Sequence, residues 1–196
     1  MRQDVPLAQA SRLLNHGPTV LVSAAHRQQR ALMAAAWAMT LDFEPPKVAV
    51  VIDKSTYTRT LIEATGEFAL QVPSGAQADL TVTVGNSSGQ ALADAGTDKF
   101  AAWRIGHFAA QRIAAPLVEG CLAWLECRVI AWPAVQAAHD LFLAEVVAAQ
   151  ADARAFHAGR WRFDGAPPAL RSLHHLGGGQ FVLAGEAVSG QAWPLP

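Results

Sequence analysis

Cysteine is scarce in this chain: Cys121 and Cys127 are the only two in 196 residues. They lie six apart with no His/Cys cluster beside them. That excludes a disulfide framework and a zinc pattern, and leaves two half-buried strand thiols in a reducing compartment. Charge of one sign is also lacking. Fifteen Lys+Arg against sixteen Asp+Glu give a formal net charge of -1, which offers no footprint for nucleic acid or an anionic membrane. No apolar run approaches the ~20 residues of a membrane span. Residues 1–6, Met-Arg-Gln-Asp-Val-Pro, have no apolar leader core, so a soluble cytoplasmic protein is expected. No Ser/His/Asp or paired-carboxylate arrangement stands out. No Gly-x-Gly-x-x-Gly follows a strand, since Gly177-Gly178-Gly179 precedes one instead, and a Rossmann domain is unsupported. Internal repeats and long linkers are missing too. The length suits one domain over residues 1–196, with a core at about 15–186 and a tail at 187–196.

What is present is apolar and strand-rich. At 52% hydrophobic residues the chain can build a sizeable core. Residues 7–14 have helical spacing and stop at Asn15-His16-Gly17-Pro18. Residues 19–25 read as a strand, 26–30 as a polar turn and 31–37 as the returning strand. A loop then runs to Pro45-Pro46, which forbid a continuing helix. Residues 47–53 are the best strand by pattern. Residues 56–65 suit a helix with Ser55 as N-cap and Gly66 as its end. A strand follows at 67–73. Residues 77–84 read equally as helix or strand, 85–89 as a loop, and 91–100 as irregular and exposed. Short pieces at 103–107 and 113–117 lead to two long strands at 120–132 and 139–151. Residues 134–138 are the turn between them, and His139 opens the second. A surface segment covers 160–168, a tight turn 173–179 and a last strand 180–186. Many strands at short spacing with few helices predict a β-barrel.

The stretch from Ala31 to Thr58 organises the rest. Its first strand is built from very small side chains ending in Trp37, which lets a flat ligand lie against the backbone. After the next strand, Lys54, Ser55, Tyr57 and Thr58 place an ammonium and several hydroxyls at a helix N-terminus, where free N–H groups and the dipole favour an anion. Asn86, Ser87, Ser88 and Gly89 form a second polar loop within reach of such an anion. Taken singly, a Ser-x-x-Thr turn is a helix cap and a Gly-Asn-Ser-Ser-Gly loop is a loop. Together they suit a ligand with a flat ring at one end and a phosphate at the other.

The order of motifs carries a resemblance. Met33-x-x-x-Trp37, Phe43-x-Pro45-Pro46-x-Val48-Ala49-Val50, Tyr57-Thr58-x-x-x-Ile62 and Glu67-Phe68-x-x-x-Val72-Pro73 are followed by Gly85-x-x-Ser88-Gly89 and Asp98-Lys99-Phe100. Ala115-Pro116-Leu117, Leu125-Glu126-Cys127-Arg128-Val129, His139-x-Leu141-Phe142-x-x-Glu145-Val146 and His174-x-Leu176-Gly177-Gly178 complete the series. Over residues 15–186 this resembles the flavin reductase-like family. The resemblance implies a mainly β fold, the FMN-binding split β-barrel of Greek-key type with a few short flanking helices. It implies that Ala35, Ala36, Trp37, Met39 and Thr40 flank the isoalloxazine, and that Lys54, Ser55, Tyr57 and Thr58 hold the phosphate. Asn86, Ser87, Ser88 and Gly89 would reach the phosphate or ribityl chain. His139 matches the family histidine beside the flavin face where nicotinamide stacks, and is the candidate catalytic residue.

The implied cofactor is FMN, with FAD as the alternative flavin, and NADH or NADPH as co-substrate. The implied activity is hydride transfer to flavin N5 and electron delivery to an acceptor or monooxygenase partner, from a homodimer. A flavoredoxin-like electron carrier and a non-enzymatic FMN-binding barrel stay open beside it. The chain departs from the usual family residues at Ala31 (Asn), Ala34 (Thr or Ser), Gln71 (Asn), Ala144 (Gly) and His175 (Tyr). Backbone groups are left to supply the missing contacts at Ala31 and Ala34. His174 and His175 have no third ligand in view and are read as packing residues.

Overall fold

The computed structural model describes residues 18–193, so the helix expected at 7–14 lies outside the described residues. The chain opens with an antiparallel pair, β1 (Val20–His26) and β2 (Gln29–Ala35). After residues 36 and 37 it continues as β3 (Ala38–Phe43), which pairs antiparallel with β4 (Pro46–Val51). The loop expected before the two prolines is therefore largely strand. Met39, Leu41 and Phe43 alternate along it, and β4 supplies its ladder bonds. Pro46 sits at the first position of β4, where a strand tolerates the lost donor.

Helix α1 (Tyr57–Thr65) buries Thr58, Arg59, Leu61 and Ile62 along one face and ends at Gly66, whose φ of 70° and N–H bond to Ile62 O (2.7 Å) close it. Its N-cap is Thr56 and not Ser55. The Ser55 hydroxyl is turned back onto Asp53 instead. Strand β5 (Glu67–Val72) leads to a 3₁₀ turn Gly75–Gln77 and helix α2 (Ala78–Gly85). The ambiguous 77–84 stretch is thus helical. Thr81 and Thr83 satisfy their hydroxyls on the carbonyls of Gln77 (2.8 Å) and Asp79 (2.7 Å), which removes the competition that favours strand.

The segment expected to be irregular holds α3 (Gly89–Asp94) and α4 (Lys99–Ala102). Ser88 and Asp98 are their N-caps, each accepting a backbone N–H, from Ala91 (3.2 Å) and Ala101 (2.9 Å). Two-residue strands β6 (His107–Phe108) and β7 (Leu117–Val118) pair with each other. Strand β8 (Ala123–Ile130) is followed by helix α5 (Pro133–His139), so the expected turn is a helix entered by proline at its first position. His139 therefore ends a helix instead of opening a strand. Asp140, in the left-handed conformation at φ 56°, swings the chain into β9 (Leu141–Ala151). A small pair β10 (Phe156–His157) and β11 (Arg160–Trp161) follows, then a 3₁₀ turn Pro168–Leu170. The last pair is β12 (Leu173–Gly177) and β13 (Gln180–Leu183). The tight turn expected at 173–179 shrinks to the three glycines, all with positive φ, at the tip of this hairpin.

The main sheet has seven strands in the order β2-β1-β5-β8-β9-β4-β3, every neighbour antiparallel. Its two edge strands, β2 and β3, are joined by only residues 36 and 37. The sheet must curl until its free edges come together there, which makes it a barrel with a split along that seam. Both faces are covered. Val22, Val50, Ile62, Phe68 and Phe142 belong to one core cluster, and Leu21, Leu32, Val84, Phe100 and Val118 to another. Such strands read as continuous apolar runs instead of alternating ones. Both cysteines are fully buried, more than the half-burial expected, and burial pushes each thiol up to about 12. Glu126, a charge on an apolar strand, is buried and accepts the N–H groups of Gln111 (2.8 Å) and Arg112 (2.6 Å). It pins residues 111 and 112 to the sheet.

Candidate functional site

A cleft of about 760 Å³ opens at the seam, within the ~300–1,000 Å³ of small-molecule sites. One wall is the corner itself, Ala34, Ala35, Ala36 and Trp37. The three alanine side chains leave the backbone up to Trp37 accessible to a flat group. Opposite them the C-terminal end of α2 contributes Thr81, Gly85 and Asn86, the end of β4 contributes Val51 and Asp53, and the α5–β9 junction contributes His139 and Asp140. The β12–β13 hairpin closes the last side with His175, Phe181 and the glycines of its tip.

The end of α2 is fixed from behind by Lys99. This buried side chain donates its ammonium to Val84 O (2.6 Å), a position that suits a cation at a helix C-terminus. Burial lowers its pKa to about 8. The α5–β9 junction is fixed by Arg59, which is 7% exposed. Its guanidinium donates to Ile52 O (3.2 Å) and Gln136 O (3.0 Å), pairs with Glu63 (2.7 Å) and bonds the Asp140 carboxylate. One side chain of α1 thus ties the end of β4 to the His139–Asp140 wall.

The turn before α1 has its own order. The Ser55 hydroxyl and N–H both donate to Asp53 Oδ1 (2.6 and 2.8 Å), which holds the Asp53 carboxyl below its ordinary range. Thr56 donates its N–H and hydroxyl to Asp53 O. No side chain caps α1 and no acidic residue lies in its first turn, so the N-terminal N–H groups keep their pull on an anion.

The expected site residues separate. Ala35, Ala36, Trp37, Asn86 and His139 line the cleft together. Lys54 and Ser55 are exposed on the turn that follows cleft residue Asp53, and Tyr57 and Thr58 begin α1. The Tyr57 ring packs against the core, with Gly89 stacked close enough that a Cβ there would meet it at 3.2 Å. Its hydroxyl is buried without a partner, and that burial, with Asp94 and Asp98 nearby, raises its pKa. Ser87 donates to Thr83 O (2.7 Å) and Ser88 caps α3, so both hydroxyls serve helix ends. Met39 and Thr40 are not brought to the cleft. They lie exposed along β3, because the chain leaves the corner at Trp37 and runs away along the sheet edge. Of the departures from family residues, Ala31 faces the core and Ala34 the cleft.

Thr19, Asp53, Asp140, His175 and Phe181 also line the cleft and were not expected there. His175 and Phe181 are register partners on the final hairpin, with ring centroids 5.6 Å apart. The Gly-rich tip was the visible signal, but nothing local says which way a hairpin folds. Thr19 and Asp53 stand one or two residues beyond strand ends, where a sequence pattern has no direction.

A curled antiparallel sheet with a cleft at its seam, walled by the alanine corner and edged by the C-terminal ends of α2 and α5, defines a split barrel. The chain belongs to the family described as "Flavin reductase like domain", which matches residues 12–167. It is 47% identical over 188 residues to the uncharacterized protein YddH of Escherichia coli (strain K12), covering 94% of this chain and 96% of that one. A solved structure from Shewanella baltica OS155, an FMN-binding domain of a flavin reductases-like enzyme, is similar at 49% identity and a TM-score of 0.83, covering 95% of this chain and 96% of that one. The flavoredoxin of Desulfovibrio vulgaris (Miyazaki F) shares the fold at a TM-score of 0.79 and 23% identity, with 97% of each chain covered. The mainly β split barrel with few short helices is the fold of this family. Among the described residues no helix is long and apolar enough to cross a membrane.

Proposed function

We propose that this protein binds FMN in the seam cleft and works as an NAD(P)H-dependent flavin oxidoreductase. The observation that carries the reading is a cleft walled by a small-residue corner that suits a flat ring and reaching Asp53, just before the turn that leads into the uncapped N-terminus of α1. The residues present fit the group. The cleft has the volume, the Ala34–Ala36 wall has no bulk, and a buried hydroxyl at Thr19 waits without a partner.

FMN, when bound, would supply the redox chemistry, hydride acceptance at N5 from NADH or NADPH and electron release to an acceptor such as a monooxygenase component. The chain's own work is placement. Backbone groups of residues 35–37 would meet the polar edge of the ring, and the N–H groups that open α1, with Lys54, would hold the phosphate. Asn86 borders the ribityl path. His139, at the C-terminal end of α5, faces the space where a nicotinamide ring would stack and orients its carboxamide. His175 and Phe181 exclude water from the open side. FAD fits less directly, because its adenosine would have to leave past the exposed Lys54–Ser55 turn.

Titration of purified protein with FMN and riboflavin tests this. FMN should bind at micromolar concentration or tighter, riboflavin at least about tenfold more weakly for want of the phosphate. NADH or NADPH oxidation should require added or retained flavin. Protein that changes neither the spectrum nor the fluorescence of FMN would sink the reading. Binding without nicotinamide oxidation would move it to a flavoredoxin-like carrier.

A homodimer is part of the same proposal. Trp37 at the corner and Met39, Leu41 and Phe43 along edge strand β3 have 56%, 63%, 47% and 95% of their surface exposed. A bare apolar edge strand invites pairing, and a second copy is the cover that closes on itself by symmetry. Sedimentation should give a dimer, and Met39→Glu/Phe43→Glu a monomer. A wild-type monomer at tens of micromolar would refute the pairing.

A further inference from the structure

We infer that the hydroxyl of Thr19 is a hydrogen-bonding group of the ligand cleft, making a side-chain contact to the polar edge of the flavin ring. The inference rests on the flavin reading above and adds to it a residue outside the expected binding set. Thr19 is 3% exposed and lines the cleft. Its N–H is used, donating to Leu173 O at 2.9 Å. Its Oγ1 is buried and has no hydrogen-bond partner among the described residues.

Only one other buried side-chain atom there shares that state, the Tyr57 hydroxyl, and it belongs to a ring packed into the core and does not line the cleft. Elsewhere the fold satisfies its buried hydroxyls. Ser23 donates to Pro116 O at 2.6 Å, and Thr81, on the same cleft, donates to Gln77 O at 2.8 Å. An orphaned hydroxyl is destabilising in the free protein, because it has given up water for nothing. One on a residue that lines a cleft can gain a ligand atom as partner by a turn about χ1 that brings the hydroxyl to the cleft surface.

The register says which end of the ligand it would meet. Val20 pairs with Ala35, so Thr19 stands one step on, across from Ala36 at the corner. Ala34, Ala35 and Ala36 carry no polar side-chain atoms. Apart from backbone, the corner's side-chain hydrogen-bonding capacity therefore falls to Thr19 and the Trp37 indole N–H, and of the two only the Thr19 hydroxyl can also accept. A hydroxyl both donates and accepts, which suits a ring edge of alternating carbonyls and nitrogens and does not select for a phosphate.

The test uses Thr19→Val, close in shape without the hydroxyl, and Thr19→Ser, which keeps it. Without flavin, Thr19→Val should melt about 2 °C or more above wild type, since an unsatisfied group has been removed. With flavin the sign reverses: dissociation constants for FMN and for riboflavin should both rise about tenfold. Thr19→Ser should bind both within about threefold of wild type. A residue that only packs would not improve stability and weaken binding in one substitution. Thr19→Val with unchanged FMN affinity, with a lower melting point in the absence of flavin, or with a loss for FMN but not riboflavin would overturn the inference. Wild-type protein that binds neither flavin would overturn the flavin reading itself, and this contact with it.

Discussion

Arg59→Met should destabilise the protein by roughly 3–5 kcal/mol, the range for breaking a buried ion pair from one side. That corresponds to a melting temperature lower by about 6–20 °C for a chain of this size. The guanidinium is almost fully buried and serves four acceptors: two carbonyls, of Ile52 and Gln136, and two carboxylates, of Glu63 and Asp140. Glu63 is half exposed and will turn to water at little cost. Asp140 is mostly buried and will not. The methionine stem can still cover the Phe142 ring that the guanidinium faces at 5.2 Å, so the loss is chiefly electrostatic. Adding Asp140→Asn should recover part of the stability, because it removes the stranded charge and asparagine tolerates the left-handed conformation. Flavin affinity should fall in Arg59→Met further than Asp140→Asn alone reduces it, since the whole His139–Asp140 wall loses its tie to α1. Denaturant unfolding of the three variants, with FMN titration of each, measures both effects. A loss under about 1 kcal/mol would show that the wall is held by something else.

Gly75→Ala should cost about 3 kcal/mol or more, or leave little soluble protein. Gly75 does not have positive φ, so the reason is space and not conformation. A Cβ there would lie 2.1 Å from Pro168 O and 3.2 Å from a Leu183 methyl. The first of these is backbone, which no rotamer change can move. Gly75 also donates its N–H to Arg171 O at 2.7 Å, so the two 3₁₀ turns are bound as well as packed. Pushing them apart drags on the β12–β13 hairpin, and His175 and Phe181 should leave the cleft wall with it. Gly66→Ala is the control: nothing lies within 4 Å of its added Cβ, but φ is +70°. It should lose about 1 kcal/mol and leave the cleft alone. Urea midpoints for the two variants distinguish the cases; equal losses would mean the Pro168 contact yields.

Strand positions were readable where apolar, β-branched runs meet breakers, as at residues 20–26, 46–51 and 67–72. Helix α1 was readable from its spacing and from Gly66. The misreadings share a cause. At residues 77–84 local preference was divided between helix and strand, at 134–138 it argued for a turn, and in both places tertiary packing chose helix. At α3 and α4, capped by Ser88 and Asp98, Gly96 and short polar stretches masked two helices of six and four residues. Within the cleft, the alanine corner, Asn86 and His139 were legible because they sit on motifs with a fixed order. Thr19, Asp140 and His175 were not, because what brings them there is the curl of the sheet, the left-handed turn at Asp140 and the fall of the last hairpin. None of these has a sequence pattern of its own.

The seam has a consequence for how the cleft comes into being. The β1–β2 and β3–β4 hairpins are each local, with turns of a few residues. They are joined into one sheet only through β5, β8 and β9, and the β4–β9 ladder links residues 47–51 with 141–145. Residues 36 and 37 connect the hairpins covalently from the start, yet they do not become a corner until that distant ladder has formed. The loop-closure entropy of bringing some ninety residues back on themselves is therefore met before the cleft has a shape. Occupancy of the cleft is in this sense a readout of completed topology: a damaged long-range ladder abolishes the site while leaving both hairpins, and every motif at the corner, intact.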